Sequence, residues 1–285
     1  MENFACGRFL LNLKRPQIMG IVNCTPDSFS GEGIFDNPKA AIARAQSHLK
    51  NGADLLDIGA ESSRPFSDPV DFAEEWRRLE PVLKEVIHWR VPISVDTYHP
   101  ETMARALDLG VDLINDITGM QNPKARAVVQ NSNCGICVMH MQNNPKTMQT
   151  APKYDDVVAT LYDFFTIQKT ACMTGGIHQN RLIFDPGFGF GKNLQQNLAL
   201  VCALKKWSSE MPLLVGFSRK SMLGEITGGR GVQNRATASA VAALWAAENG
   251  AHILRVHDVA ETADALKVWR AFSTFSTVNT NNFSK

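Results

Sequence analysis

No run of eighteen apolar residues occurs in this 285-residue chain, so no segment is long and apolar enough to cross a bilayer as a helix. Its first residues, Met1-Glu-Asn-Phe-Ala-Cys, place no basic region ahead of an apolar stretch, and no secretory signal is expected there. Charge of one sign is lacking as well. With 29 basic against 28 acidic residues the formal net charge is +1, which offers no bulk field to nucleic acid or to an anionic membrane. Neither is expected as a partner, and any anion recognition must come from a local arrangement of side chains. Taken together, these absences lead to the expectation of a soluble, cytoplasmic protein. Cysteine is sparse: of six, only Cys134 and Cys137 have the C-x-x-C spacing of some redox and zinc sites. No second pair accompanies them, and Cys137 begins an apolar Cys-Val-Met-His-Met run instead of a helix. Both are expected to be core residues, with a redox pair as the alternative, and no disulfide scaffold is expected.

Nucleotide-binding and nucleophile motifs are missing too. The stretch Asp185-Pro-Gly-Phe-Gly-Phe-Gly-Lys192 is rich in glycine, but a G-x-G-x-x-G loop would need Gly where Lys192 stands. A P-loop would need Gly in place of Pro186 and Ser or Thr in place of Asn193. The glycines are expected to let a mobile loop fold over a site, with Phe188 and Phe190 as apolar walls. No Ser–His–Asp or Cys–His combination stands out.

What is present is a repeated plan. Gly52-Ala-Asp-Leu-Leu-Asp-Ile-Gly59, Gly110-Val-Asp-Leu-Ile-Asn-Asp-Ile117 and Gly250-Ala-His-Ile-Leu-Arg-Val-His257 each follow an amphipathic stretch and lead into an apolar strand. Pro38 and Pro100 mark first helical positions, and Asp71-Phe-Ala-Glu74 has the form of a capping box. Eight apolar runs read as strands: Ile18–Asn23, Leu55–Glu61, Pro92–Thr97, Leu113–Ile117, Gly135–Met141, Leu182–Gly189, Pro212–Ser218 and Ala251–Asp258. Helical segments such as 38–50, 71–89, 155–173 and 235–249 separate them. Apolar strands alternating with helices predict a parallel sheet covered on its outer face. At this length, and with 44% hydrophobic residues, the α/β architecture expected is a single (β/α)8 TIM barrel spanning 1–275. A short hairpin within Phe4–Leu13 would close the barrel floor, and the polar 276–285 tail is expected to be disordered.

Chemistry gathers at one end of those strands. Their C-terminal ends carry Asn23, Glu61, Asp96, Asn115, His140, Asp185, Ser218 and the pair Arg255/His257, whereas the N-terminal ends carry little. In a barrel these C-terminal ends converge on the rim where active sites lie. Asp96 and Asp185 could each cap a loop. Together in a dry pocket they suit the paired N–H donors of a nitrogen heterocycle, with Asn115 adding an amide. Arg255 and His257 share one strand face while Leu254 and Val256 take the other. The basic pair suits a phosphate or diphosphate, and the alternative for Arg255 is an ion pair inside the barrel to Asp57. Lys220, after the seventh strand, is placed for an anion or for polarising a ligand, or else is a solvated loop residue. His140 is expected to be a hydrogen-bonded neighbour of the site.

These residues resemble the dihydropteroate synthases of folate synthesis, through MGIVNCTPDSFS, GAESSRP, ISVDT, INDI, VMHMQNNPKTMQ, DPGFGFGKN, VGFSRKS and RVHD, over about Phe4 to Trp269. The resemblance implies a (β/α)8 barrel that condenses 6-hydroxymethyl-7,8-dihydropterin diphosphate with 4-aminobenzoate, with Mg2+ required. By matched position it implies that Asp96, Asn115, Asp185 and Lys220 hold the pterin, and that Arg255 and His257, with Ser63, hold its diphosphate. It implies Asn23 as the protein ligand of Mg2+, and Ser63, Arg64, Pro65, Phe190 and Ser218 as the aminobenzoate pocket. Catalysis would fall to Arg255, His257, Lys220, Asp96 and Asp185, the assembly would be a homodimer, and the site would be of the kind that sulfonamides target. There are two departures. ESSRP stands where the family commonly has ESTRP, and SFSGEG stands where it commonly has SFSDGG, which puts Gly31 in place of an acid. Either Glu32 supplies the carboxylate or the loop closes differently. The other readings are a catalytically silent pterin-binding paralogue, suggested by Gly31, and a pterin-dependent methyltransferase, which has less use for Arg255, His257 and the Ser-Arg-Pro loop.

Overall fold

The computed structural model describes residues 2–25, 37–62 and 67–280, with side chains as far as 275. A hairpin of β1 (Asn3–Cys6) and β2 (Phe9–Asn12) comes first. Then follow β3 (Gln17–Asn23), α1 (Pro38–Lys50), β4 (Leu55–Gly59), α2 (Phe72–Val86), β5 (Ile93–Asp96), α3 (Pro100–Leu109), β6 (Leu113–Asp116) and α4 (Pro123–Gln130). The second half has β7 (Gly135–Met139), α5 (Val157–Thr174), β8 (Leu182–Asp185), α6 (Leu194–Ser208), β9 (Leu214–Val215), α7 (Ser221–Ile226), α8 (Ala236–Glu248), β10 (Ile253–Val256) and α9 (Val259–Thr280). The eight strands β3 to β10 pair in parallel in the order β8-β7-β6-β5-β4-β3-β10-β9, and the bridge between Phe184 and Leu213 joins the two ends. The result is the expected (β/α)8 barrel.

Local chemistry explains the boundaries. Asn37 caps α1 by accepting from Ala40 N, with Pro38 in the first turn, where its missing N–H costs nothing. Asp71 caps α2 by accepting from Glu74 N at 2.9 Å, but the Glu74 carboxylate turns to Arg77 and Arg78, so only half of the capping box forms. Gly110 ends α3 with φ 97°, a left-handed conformation that favours glycine. Several strands are shorter than their apolar runs: β8 stops at Asp185 and β9 covers only Leu214–Val215. At β8 the cause is visible, since the Asp185 carboxylate accepts Gly187 N at 2.7 Å and turns the chain out of the ladder. The last helix continues to Thr280, past the boundary expected at Phe275, because a formed helix gains one hydrogen bond for each residue added.

Alternation along the strands divides the core. One set of side chains, including Ile18, Leu56, Ile58, Val95, Leu254 and Val256, faces the helices. The other set, Met19, Leu55, Leu113, Cys137, Ile183, Leu214 and Ile253, points inward and is sealed from below by Phe4, Cys6 and Leu13 of the hairpin segment. The hairpin is therefore the barrel floor. Cys134 lies in the outer core and Cys137 in the inner one, both as buried free thiols, so the C-x-x-C pair serves packing.

Candidate active site

Two residues beyond four of the floor residues, the inward position turns polar: Asp57 follows Leu55, Asn115 follows Leu113, Asp185 follows Ile183 and Arg255 follows Ile253. Asp57 is fully buried and accepts from Ser94 Oγ at 2.5 Å, from Asn115 Nδ2 at 3.1 Å and from Arg255 Nε at 2.5 Å. Arg255 also donates through Nη2 to Asp96 Oδ2 at 2.6 Å. The ion pair weighed as the alternative for Arg255 is thus present, and the guanidinium bridges two carboxylates. Its Nη1 is the edge that can still turn toward an anion.

Asn115 spends its amide nitrogen on Asp57, while its Oδ1 is buried with no hydrogen-bond partner among the described residues. An acceptor left in that condition costs about 1–3 kcal/mol, which a ring N–H donor entering the barrel would relieve. Asp96 and Asp185 complete an acceptor array around the same space. Burial pushes the Asp96 carboxyl up to about 7, against the pull of Arg255. Burial also raises Asp185, opposed by Lys220. Desolvation disfavours charge on Arg255, but Asp57 and Asp96 outweigh it and hold the guanidinium protonated.

Lys220 sits at the N-cap of α7, and its Nζ donates to Phe188 O at 2.5 Å. The same ammonium lies 4.8 Å from the centroid of the Phe190 ring. Burial lowers its pKa to about 8, with Asp185 opposing. Ser218 and His257 are joined: the Ser218 hydroxyl lies 3.0 Å from His257 Nδ1 and accepts from His257 N at 3.1 Å. Asn23 ends β3, in register with Gly59, and is half-buried. Ser63, Arg64 and Pro65 lie outside the described residues, as does the loop that carries Gly31 and Glu32.

Two expectations change. The loop after β8 is not the mobile flap expected from its glycines, because each carbonyl from Gly187 to Gly191 accepts a side-chain donor. Phe188 is no site wall; it is fully buried and packs on Phe217 with 4.3 Å between ring centroids. Phe190 does line the rim, among Met139, Met141 and Met148. Glu61 is engaged by Tyr98 OH at 2.8 Å and faces His99 Nε2 at 3.6 Å. His140 fills its expected role through a 3.1 Å contact with Lys192 Nζ. Sequence reasoning missed Asp57 as an organiser. Its signal was available, since it occupies an inward position on a strand that is otherwise apolar.

The chain matches the model of the family described as pterin binding enzyme over residues 19–257. It is 50% identical over 272 residues to the dihydropteroate synthase of Neisseria meningitidis serogroup B, covering 93% of this chain and 95% of that one. The structure superposes on Burkholderia cenocepacia dihydropteroate synthase complexed with 7,8-dihydropteroate at a TM-score of 0.88, with 44% identity over 96% of this chain and 98% of that one. It superposes on the sulfonamide complex of Yersinia pestis dihydropteroate synthase at a TM-score of 0.90, with 42% identity over 95% of this chain and 99% of the other. Fold, inward polar layer and near full-length identity therefore agree, and the chain belongs to the dihydropteroate synthase family of pterin-binding enzymes.

Proposed function

We propose that the barrel mouth condenses 6-hydroxymethyl-7,8-dihydropterin diphosphate with 4-aminobenzoate to give 7,8-dihydropteroate and diphosphate. The observation that carries the chemistry is the acceptor array of Asp96, Asp185 and the unpartnered Asn115 Oδ1 inside a dry barrel, beside Arg255. Such an array accepts the N–H edge of an aminopyrimidinone ring. It rejects rings without those donors, because its carboxylates would be left unpaired. The C–O bond to diphosphate breaks, the C–N bond to the arylamine forms, and the amine loses a proton. Positive charge built on the electron-rich pterin is favoured by Asp96 and Asp185, while Arg255 and His257 hold the departing anion.

Lys220 spans both substrates in this reading, its ammonium toward the pterin and its stem beside Phe190. Ser63, Arg64, Pro65 and Ser218 complete the aminobenzoate pocket, and Ser63 also contacts the diphosphate. Among the described residues no group of three His, Cys, Asp or Glu could hold a metal. The donor set fits a Mg2+ ion that takes one amide oxygen from Asn23 and the rest from diphosphate and water. When bound, that ion neutralises charge on the leaving group. Exposed Val241, Trp245 and Val268 on α8 and α9 supply an apolar face suited to the homodimer that the family resemblance implies. No helix of the described residues is long and apolar enough to cross a membrane, and we place the chain in the cytoplasm, where its small-molecule substrates would be met.

The direct test mixes the protein with both substrates and Mg2+ and follows dihydropteroate and diphosphate. Product that disappears on chelation and returns with added Mg2+ is the expected result. Folded protein that binds the pterin diphosphate without forming product would make this a silent pterin-binding barrel instead.

A further inference from the structure

The loop after β8 is held by an unusual set of side chains. Lys192 Nζ donates to Gly187 O at 3.0 Å and to Phe190 O at 2.9 Å. Lys220 Nζ takes Phe188 O at 2.5 Å, Gln149 Nε2 takes Gly189 O at 2.6 Å, and Tyr154 OH takes Gly191 O at 3.0 Å. From the α6 side, Asn197 Oδ1 accepts Gly189 N at 2.8 Å while its Nδ2 donates to Lys192 O at 3.2 Å. Lys192 lies at the centre of this set. It is 3% exposed, and its ammonium also meets His140 Nδ1 at 3.1 Å and His140 O at 3.3 Å. Every one of those partners is an acceptor, which suits an ammonium with three donors, although burial pulls the Lys192 pKa well below its ordinary value, with Asp185 opposing. The facing His140 nitrogen must offer a lone pair, which makes that imidazole neutral with its proton on Nε2. Burial, reinforced by Lys192, pushes His140 down to about 3 and keeps it in that form.

We propose that Lys192 is a positioning residue for the arylamine substrate. It holds residues 187–191 in the one shape that sets the Phe190 ring against the Lys220 ammonium. Neither group is touched by the Lys192 side chain except through the Phe190 backbone oxygen. The effect is therefore transmitted by the loop, which is pinned at both carbonyls that flank Phe188 and Gly189. Without the cation, Gly187 O keeps only the Phe190 N–H and Phe190 O loses its side-chain donor, so the peptide that orients Lys220 through Phe188 O is held less firmly. The pterin acceptors Asp96 and Asn115, organised by Asp57, stand on other strands and are left in place, whereas Asp185 and the Lys220 ammonium border the loop. This inference rests on the reading that aminobenzoate lies against Phe190 and the Lys220 stem.

Lys192→Met keeps the stem and removes all three donors. The KM for 4-aminobenzoate rises by about tenfold or more, as expected for a misplaced wall and cation. The KM for the pterin diphosphate rises less, by about threefold or under, because Asp96 and Asn115 keep their places and only Asp185 and the Lys220 ammonium border the loop, so the loss does not read as uniform weakening. Should that variant not fold, Tyr154→Phe and Gln149→Leu carry the test, since each removes one clamp at the loop edge. Each then raises the aminobenzoate KM by about two- to fivefold, the worth of one hydrogen bond, with the pterin KM unchanged. An unchanged aminobenzoate KM in folded Lys192→Met, or in both edge variants, overturns the proposal. So does a parallel rise of both KM values, which is what general loosening of the barrel produces. Failure of the unmodified protein to make dihydropteroate would strike the functional reading and not the role of Lys192.

Discussion

Replacing Asp57 by Asn tests whether one buried carboxylate organises the pterin pocket. Asp57 is fully buried, accepts from Ser94, Asn115 and Arg255, and is paired with a guanidinium that also holds Asp96. In Asp57→Asn the residue keeps its volume but has one oxygen where three donors converge. Ser94 can turn its hydroxyl to accept from the new amide. Asn115 Nδ2 and Arg255 Nε then share one neutral amide oxygen, a weaker acceptor than the carboxylate. An Asn115 that gives it up flips its Nδ2 to where Oδ1 now points, which converts a pocket acceptor into a donor. Breaking one partner of a buried pair costs about 3–5 kcal/mol, and the lower end applies because Arg255 keeps Asp96. A pocket acceptor turned donor leaves a ligand N–H unmatched, worth about 1–3 kcal/mol or roughly 5- to 150-fold in affinity. Urea unfolding should thus show a stability loss of about 3 kcal/mol, and calorimetry a pterin diphosphate Kd raised about 5- to 150-fold. An unchanged Kd in a folded variant would refute the claim that Asp57 sets the orientation of Asn115.

Asp185→Asn should weaken binding of the pterin itself, whereas Arg255→Ala should chiefly weaken capture of its diphosphate; titration with pterin and with pterin diphosphate separates them, and unchanged values in both would sink the assignment. The pH profile of kcat/KM for pterin diphosphate should be bell-shaped. As pH falls through about 7, Asp96 gains a proton and loses its charge toward Arg255 and the ring; as pH rises through about 8, Lys220 loses its proton. The limbs belong to the coupled site as a whole, and a flat profile from about pH 6 to 9 would contradict the burial argument. Phe4→Ala should cost about 3–5 kcal/mol in urea unfolding, because its ring seals the floor. The fit there is close: a Cβ built on Gly135 would come within 2.6 Å of Phe4 Cζ. A loss below about 1 kcal/mol would mean that the hairpin does not close the barrel energetically.

Much of this site is legible in the amino-acid sequence. The rim residues could be named because each ends an apolar run, and the floor hairpin because its residues precede the first barrel strand. What stayed hidden depends on contacts between distant strands. Arg255 and Asp57 are separated by 198 positions, and only closure of the barrel decides that this cation bridges Asp57 and Asp96. The glycines from 187 to 191 read as mobility, since Gly widens the choice of backbone angles. Their carbonyls are nevertheless taken one by one by Lys192, Lys220, Gln149 and Tyr154.

The linear order of residues determined the elements of this protein and the end of the barrel that bears its chemistry. Hydrophobic alternation, helix caps and strand-ending polar residues act over a few neighbouring positions and need nothing further along the chain. Tertiary structure alone decided the direction of each polar bond: which end of the Asn115 amide is left for a ligand, which carboxylates share Arg255, and that Lys192 is a buried clamp. Those outcomes depend on which donors and acceptors meet in a space closed to water, and that meeting is set by the register of eight strands around the barrel.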